Sequence, residues 1–386
     1  MTTDTATGVL KPHNDRLFLH LIRAAGSMSK ADLTRASGLS AQSSTVIVNR
    51  LVSEGLLQAG KAVRGRVGQP STPYRLNPDG ATSIGVKLGR RSLEVVSMSF
   101  DYRILERVIH RYDFPQVADL RGRINDTIAT LLDHLTPTQR TRFVGIGLAL
   151  PDALADWEDT IGAPTGTMAD WRDTDLRGGI AAQFAVPVTA LNDAAAACLA
   201  ELKTGNPNTY ASFVYIYVGT FIGGGIALGG RLFSGEGHAG AIGSMPAERA
   251  ASGDTQQMID TASLHHLESR TTTVGLSTSA YYNGAPLDAP TQAIFDSWLA
   301  DAASTIATAC VNAQALLHPQ AILIDTSLSV PLKAQLLAAV QQATRRLDLR
   351  GLAQMTIGSG TAGVTARATG SGIAPFQAHF ALDPPA

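Results

Sequence analysis

The chain has 386 residues, 45% apolar and 16% charged side chains, and a formal net charge of −1. That length is too great for one core and predicts a small domain followed by a larger, bilobal one. With no run of about 18 apolar residues, no membrane span is expected; no charged-then-apolar leader opens the chain, and Cys198 and Cys310, in Ala-rich apolar segments, are expected to be small core residues in a reducing cytoplasm, unpaired.

The near-neutral total hides a polarised molecule. Residues 1–76 hold ten Lys/Arg against four Asp/Glu, a net of +6, so the remainder carries −7. A basic end on an acidic body points to a polyanionic partner for that end.

In chain order, Leu17, Phe18, Leu21 and Ile22 recur at helical intervals between Asp15 and Ala25, and Gly26 stops the helix. Ser29 is placed to cap a short second helix, Lys30 to Ser37, with Asp32 completing an acidic capping box and Gly38 ending it. Ser40 caps a third helix, with Val46, Val48, Leu51 and Val52 expected inside. Gln42, Ser43, Ser44, Thr45, Asn49 and Arg50 are expected outside. After Gly55-Leu56-Leu57, the basic run Lys61, Arg64, Arg66, Gly68, Gln69, Pro70 and then Tyr74-Arg75-Leu76 read as two strands around a wing. This is the pattern of a winged helix-turn-helix over residues 1–80. Lys30, Gln42, Ser43, Ser44, Thr45, Asn49 and Arg50 are its candidates for the major groove and flanking phosphates, and Arg64, Arg66 and Gln69 its wing candidates.

Residues 77–81 form a turn-rich hinge. Beyond it, strands and helices alternate: a hairpin of Ile84–Leu88 and Leu93–Phe100, a strand to Tyr112, a helix Leu120–Leu135, a strand Phe143–Leu150, a helix Gly178–Phe184 and a strand Val186–Leu191. Then come a helix Ala194–Lys203, strands Ser212–Val218 and Gly225–Leu228 joined by a glycine turn, a long helix Ala293–Leu317, a strand Ala321–Asp325 and a helix Pro331–Leu347. The fold class is α/β, with sheets covered by helices.

The winged helix is followed by Ile84-Gly85-Val86-Lys87-Leu88-Gly89, Leu191-Asn192-Asp193-Ala194, Gly219-Thr220-Phe221-Ile222-Gly223-Gly224-Gly225 and Ala239-Gly240-Ala241-Ile242-Gly243-Ser244-Met245. In this order the motifs resemble the ROK family, which groups sugar-responsive repressors with sugar kinases. The resemblance implies a two-lobed actin/hexokinase-like (ribonuclease H-like) domain over residues 81–386, with lobes of about 81–191 and 192–370 and a C-terminal segment returning to the first. It further implies an interlobe ligand cleft and a homodimer or homotetramer.

Departures from the family pattern separate regulator from kinase. The kinases open with Asp-x-Gly-Gly-Thr, whose amides and hydroxyl hold phosphate while the acid works with the metal; here Lys87 replaces the acid, and Arg90 and Arg91 replace the second glycine and the threonine. Asp325 stands where a glycine pair usually admits the nucleotide, and its charge is expected to repel phosphate. The glycine turn from Gly219 reads either as a surviving phosphate loop or as a structural turn. Asn192 and Asp193 match the pair that grips sugar hydroxyls, the aspartate being also the kinase general base; an N-cap for the following helix is the equally weighted alternative. Ala241 and Ser244 replace the family's sugar-binding glutamate and its histidine. His238 reads as a loop residue or a replacement ligand contact, and Asp260 takes the place of a second sugar-contacting glutamate. No zinc is expected, because residues 246–263 hold no cysteine or histidine.

The expectation is therefore a cytoplasmic transcriptional regulator, a repressor, with no catalytic residues, cofactor or metal. Its partners are a palindromic double-stranded DNA operator and a small effector, a sugar or sugar derivative, held by Asn192, Asp193, His238 and Asp260. A regulator with a non-sugar effector or none is the alternative, and an ATP-dependent sugar kinase is the distant one. In the family the wing commonly reads Arg-x-Gly-Arg-Pro; Gln69 in place of its second arginine is expected to weaken minor-groove attraction.

Overall fold

The computed structural model describes residues 11–62, 71–152, 154–205, 210–249 and 255–382. The chain divides into two compact units: residues up to Leu191 with those from Ser371 onward, and Asn192–Gly370.

The first unit opens with α1 (His13–Ala25), β1 (Met28–Ser29), α2 (Lys30–Ser37), α3 (Ala41–Ser53), β2 (Leu57–Ala59) and β3 (Pro73–Leu76). Phe18, Leu19 and Ile22 of α1, Leu33 of α2, and Ile47, Val48 and Leu51 of α3 form its core. The capping box is present. Ser29 Oγ accepts from Asp32 N at 3.2 Å, and Ser29 N donates back to Asp32 Oδ2 at 3.3 Å. Gly38 then closes α2 in the left-handed region, which an L side chain enters at a cost. β2 and β3 pair antiparallel, Leu57 opposite Leu76, with β1 on the other side of β3. The wing candidates Arg64, Arg66 and Gln69 lie outside the described residues.

The expected inner face of α3 was rotated. Val46 is 56% and Val52 36% exposed, whereas Ile47 and Ser44 are buried. Three valines with one isoleucine allow two phases of a 3.6-residue repeat, and packing against α1 and α2 selects the one through Ser44, Ile47, Val48 and Leu51.

Next come β4 (Thr82–Leu88), β5 (Ser92–Ser99), β6 (Ile104–Arg111), α4 (Val117–His134), α5 (Pro137–Thr141), β7 (Phe143–Leu150), α6 (Leu176–Phe184) and β8 (Val188–Asn192). The sheet runs β6-β5-β4-β7-β8, with β4, β5 and β6 antiparallel and β7 parallel to β4.

The second unit holds α7 (Asp193–Thr204), β9 (Phe213–Val218), β10 (Ile222–Leu228), β11 (Arg231–Phe233), β12 (Pro246–Arg249), β13 (Thr255–Gln257), α8 (Ile259–Ala262), α9 (Leu264–Thr273), α10 (Ala280–Asn283), α11 (Ala289–Leu317), β14 (Ala321–Thr326), α12 (Val330–Thr344) and β15 (Ile357–Ser359). Its sheet runs β11-β10-β9-β14-β15, again three antiparallel strands with a parallel strand beside the first. Both units thus carry the same strand order, a duplication that sequence periodicity did not disclose. Cys198 and Cys310 are buried and unpaired in this unit. Burial pushes both thiols up, that of Cys310 to about 12.

The last helix, α13 (Ala366–Phe380), contributes its first residues to the second unit and Ser371–Phe380 to the first. In the first unit it lies close on the sheet: a Cβ on Gly85 would come within 2.4 Å of Gly372 N, and Ser83 Oγ donates to Gly372 O at 2.6 Å.

Cations fasten the winged helix to the rest of the first unit. Arg16 donates to Ala381 O at 2.8 Å and to Leu382 O at 2.7 Å. The Arg23 guanidinium lies 3.8 Å from the Tyr102 ring centroid and 5.0 Å from that of Phe100, and donates to Phe100 O at 2.8 Å. From the opposite side Arg142 donates to Gly55 O at 3.3 Å and Asp79 O at 3.1 Å.

Arg23→Ala removes a desolvated cation–π contact and a charged hydrogen bond, so a loss of about 2–3 kcal/mol is expected. The check is a lowered thermal midpoint together with faster limited proteolysis within residues 11–76; unchanged cleavage there would show that Arg23 does not hold the domain.

Candidate nucleic-acid interface and effector residues

In α3 the residues at positions 42, 46, 49 and 53 follow one another at helical spacing on the side away from the core, so Gln42, Val46, Asn49 and Ser53 line one open stripe. Ser40 caps the helix, accepting from Ser43 N at 3.1 Å. Gln42 and Ser43 are exposed and Thr45 is half-buried at the edge. Ser44 does not belong to this face. It is fully buried, and its hydroxyl has no hydrogen-bond partner among the described residues.

Two of the expected contact cations serve as struts. Lys30 Nζ donates to Asn49 Oδ1 at 2.8 Å and stands 5.6 Å from the Tyr74 ring, tying α2 to α3 and to the wing strand. Arg50 pairs with Asp15 of α1, a carboxylate only 1% exposed. This pairing raises the pKa of Arg50. Neither link was visible in the sequence, because the partners are 19 and 35 residues apart.

The hairpin turn between β4 and β5 is filled by its own side chains. Lys87 is buried, and its Nζ donates to Ser92 Oγ at 2.8 Å and Ser92 O at 3.3 Å. Tyr112 donates its hydroxyl to Gly89 O, and the Arg90 guanidinium lies 5.1 Å from the Trp157 ring. A phosphate held by backbone amides needs an open turn; this one is occupied by an ammonium.

In the second unit, Asn192 is the N-cap of α7, its Oδ1 accepting from Ala194 N at 2.9 Å and Ala195 N at 3.4 Å. Asp193 Oδ2 pairs with Arg367 at 3.3 Å, and that guanidinium also lies 5.0 Å from the Tyr217 ring. The carboxylate at the position that the family's kinases use as general base is thus engaged by an adjacent guanidinium. Arg367 gave no signal in the sequence, 174 residues from its partner.

Asp325 is fully buried but does not act as a bare anion. It receives Lys333 Nζ at 2.6 Å, Tyr215 OH at 2.9 Å and Gly363 N at 3.0 Å. Burial and this carboxylate keep the Tyr215 phenol protonated by pushing its pKa well up. The expected repulsion of phosphate by Asp325 is thus corrected: Lys333 cancels the charge, and the group braces the loop after β15. Glu201, also buried, braces the same loop by accepting from Thr361 N at 2.8 Å and Ala362 N at 2.7 Å.

The glycine run belongs mostly to a strand. Gly223, Gly224 and Gly225 are in β10, where a Cβ on Gly225 would lie 2.5 Å from Cys198 Cβ and one on Gly223 2.9 Å from Ala194 Cβ. The glycines admit the Ala-rich helix α7 against the sheet, a structural reason for the motif. His238 stands exposed in the turn closed by Ala239 N donating to Ser234 O at 3.0 Å. Exposed Asp260 accepts from Gln257 N at 2.9 Å. His266, on α9, has its pKa lowered first by burial and then by Arg270, against the pull of Asp260. The His265 ring lies tilted against that of Phe221, centroids 5.6 Å apart. Among the described residues no group of three His, Cys, Asp or Glu is placed to hold a metal.

A sequence profile of the ROK family matches residues 83–372. The xylose repressor of Bacillus subtilis is 24% identical over 247 residues, covering 61% of this chain and 61% of the relative. A transcriptional regulator of Mycobacterium tuberculosis is 24% identical over 249 residues, covering 63% and 55%. The chain thus spans less than two thirds of the length of these relatives. Among solved structures, a ROK family transcriptional regulator homologous to Escherichia coli Mlc superimposes with a TM-score of 0.69 at 20% identity, covering 95% of this chain and 97% of that one. The ROK hexokinase of Thermus thermophilus gives 0.56 at 22% identity, covering 76% and 97%.

Arg50→Ala strands the buried Asp15 carboxylate and is expected to cost about 3 kcal/mol, read as a lower unfolding midpoint without DNA; an unchanged midpoint would make Arg50 a surface cation. A second outcome concerns Asp32, whose pKa is lowered first by the Ser29 hydroxyl, then by the Ser29 amide and Arg35. A depressed carboxylate stabilises the fold above its unfolded pKa of about 3.9. Asp32→Asn should therefore lower the melting point at neutral pH, the gap from wild type closing as pH falls through the folded pKa. A gap that persists at low pH would contradict the capping role.

Proposed function

Since the chain belongs to the ROK family, we propose that it is a sequence-specific DNA-binding transcriptional regulator of the cytoplasm, a repressor, that carries out no phosphate transfer. The observation that carries this reading is the pairing of a braced winged helix with a base position, Asp193, occupied by Arg367. The residue set for the DNA is Gln42, Ser43, Thr45 and Asn49 on α3, with Lys30 and Arg50 holding the helix and Arg64, Arg66 and Gln69 in the wing. Amide and hydroxyl side chains on an open helical face suit base edges, and the +6 charge of residues 1–76 suits the phosphates. A symmetric dimer or tetramer would set two such helices on a palindromic operator.

The effector is a small ligand of the second unit, with Asn192, Asp193, His238 and Asp260 as its candidate contacts. Asn192 and Asp193 are already engaged by a cap and an ion pair. That favours an effector other than an unmodified hexose, with a sugar derivative able to accept from Arg367 as the leading class. α13, which supplies residues to both units, is one of the two places where the chain crosses between them, the other being Leu191–Asn192, and it is the route by which ligand binding would reach the winged helix, by a shift between two states that bind DNA unequally.

Gel shift on the chain's own upstream DNA is expected to show binding that falls steeply between 50 and 200 mM salt, by about 10³-fold if six phosphates are neutralised. A coupled assay with ATP and a panel of sugars is expected to stay flat. ATP-dependent turnover would overturn the regulator-only reading, and salt-independent binding would overturn the proposed interface.

A further inference from the structure

On the open stripe of α3, between the amides of Gln42 and Asn49, stands Val46. It is 56% exposed, the most exposed large apolar side chain among the described residues of the winged helix. Its neighbours on that stripe are polar, so no apolar patch surrounds it that a protein partner would cover. What faces this stripe, if it faces DNA, is the floor of a major groove. The apolar feature available there is the 5-methyl group of thymine. Resting on the DNA-binding reading above, we propose that Val46 is a specificity-determining residue that reads a thymine methyl in each operator half-site.

Three observations support it. Valine is branched at Cβ and restricted at χ1 in a helix, so its two methyls are offered in a fixed direction at little entropic cost on binding. Asn49, one turn on, has its Oδ1 taken by Lys30 Nζ at 2.8 Å. One lone pair of that oxygen is thereby used, while Nδ2 keeps both donors. An acceptor such as thymine O4 or purine N7 fits the remaining amide, and thymine carries O4 beside its methyl. Finally, the residues inside the helix, Ser44, Ile47, Val48 and Leu51, already complete the core, so Val46 has no packing duty.

The test begins with selection of binding sites by the full chain from a random duplex library. Each thymine of the selected site is then replaced in turn by deoxyuridine, which removes only the methyl. For the wild type, one thymine per half-site is expected to weaken binding roughly four- to tenfold on replacement. Val46→Ala should lose a similar factor on the thymine site and be indifferent to uracil at that position, while responding like wild type elsewhere. Val46→Thr, which keeps the branched shape, should show an intermediate loss, and all three proteins should melt alike. If Val46→Ala binds as tightly as wild type, or stays equally sensitive to uracil, the assignment of Val46 is overturned while DNA recognition stands. If the library yields no enriched sequence, the DNA-binding reading fails, and this inference with it.

Discussion

The attachment of the winged helix rests on arginines that find carbonyls and aromatic faces instead of carboxylates. Arg16 meets the carbonyls of Ala381 and Leu382, Arg23 meets Phe100 O and the Tyr102 ring, and Arg142 meets Gly55 O. A guanidinium is planar and weakly hydrated, so it can lie on a ring and donate to a fixed oxygen with a small desolvation cost. The consequence is a winged-helix domain fastened to the rest of the first unit, including the residues just after α13. Arg16 thereby joins α1 directly to the two residues that follow α13.

The second unit uses buried charge in a different manner. Asp325 with Lys333, Asp193 with Arg367, and Glu201 with two amides each satisfy an anion inside the protein. In the first unit Lys87 likewise turns its ammonium onto its own hairpin, at Ser92. These groups contribute rigidity and loop placement, and removal of one partner leaves a buried charge, which costs far more than the pair gains.

Local chemistry was legible in the sequence to the residue. The Ser29–Asp32 box and the stops at Gly38 and Gly26 follow from interactions within four residues and stand where the spacing put them, as does the alternation of strands and helices; the cap at Asn192 is one of two evenly weighted readings. The phase of α3 was not legible. Val46 and Ile47 are equally apolar, and only the positions of α1 and α2 decide which one turns inward. Gly223 and Gly224 read as part of a turn because glycine marks turns and close approaches alike, and the approach of α7 is a tertiary fact.

By itself the sequence determined that a basic winged helix precedes an α/β body and that the phosphate motifs have lost their acid and hydroxyl, since these depend on residue type and near-neighbour spacing. The tertiary structure alone decided what the displaced residues do. Arg50 became a strut, Asp193 and Asp325 became ion-paired scaffold, and Val46 came to the surface. Arg50 and Asp193 meet partners 35 and 174 positions away, Asp325 bonds Lys333 8 positions on and Tyr215 110 positions back, and the exposure of Val46 depends on which helix face meets a neighbour. No local propensity encodes such distances; they are fixed when the chain closes its loops and the cores pack.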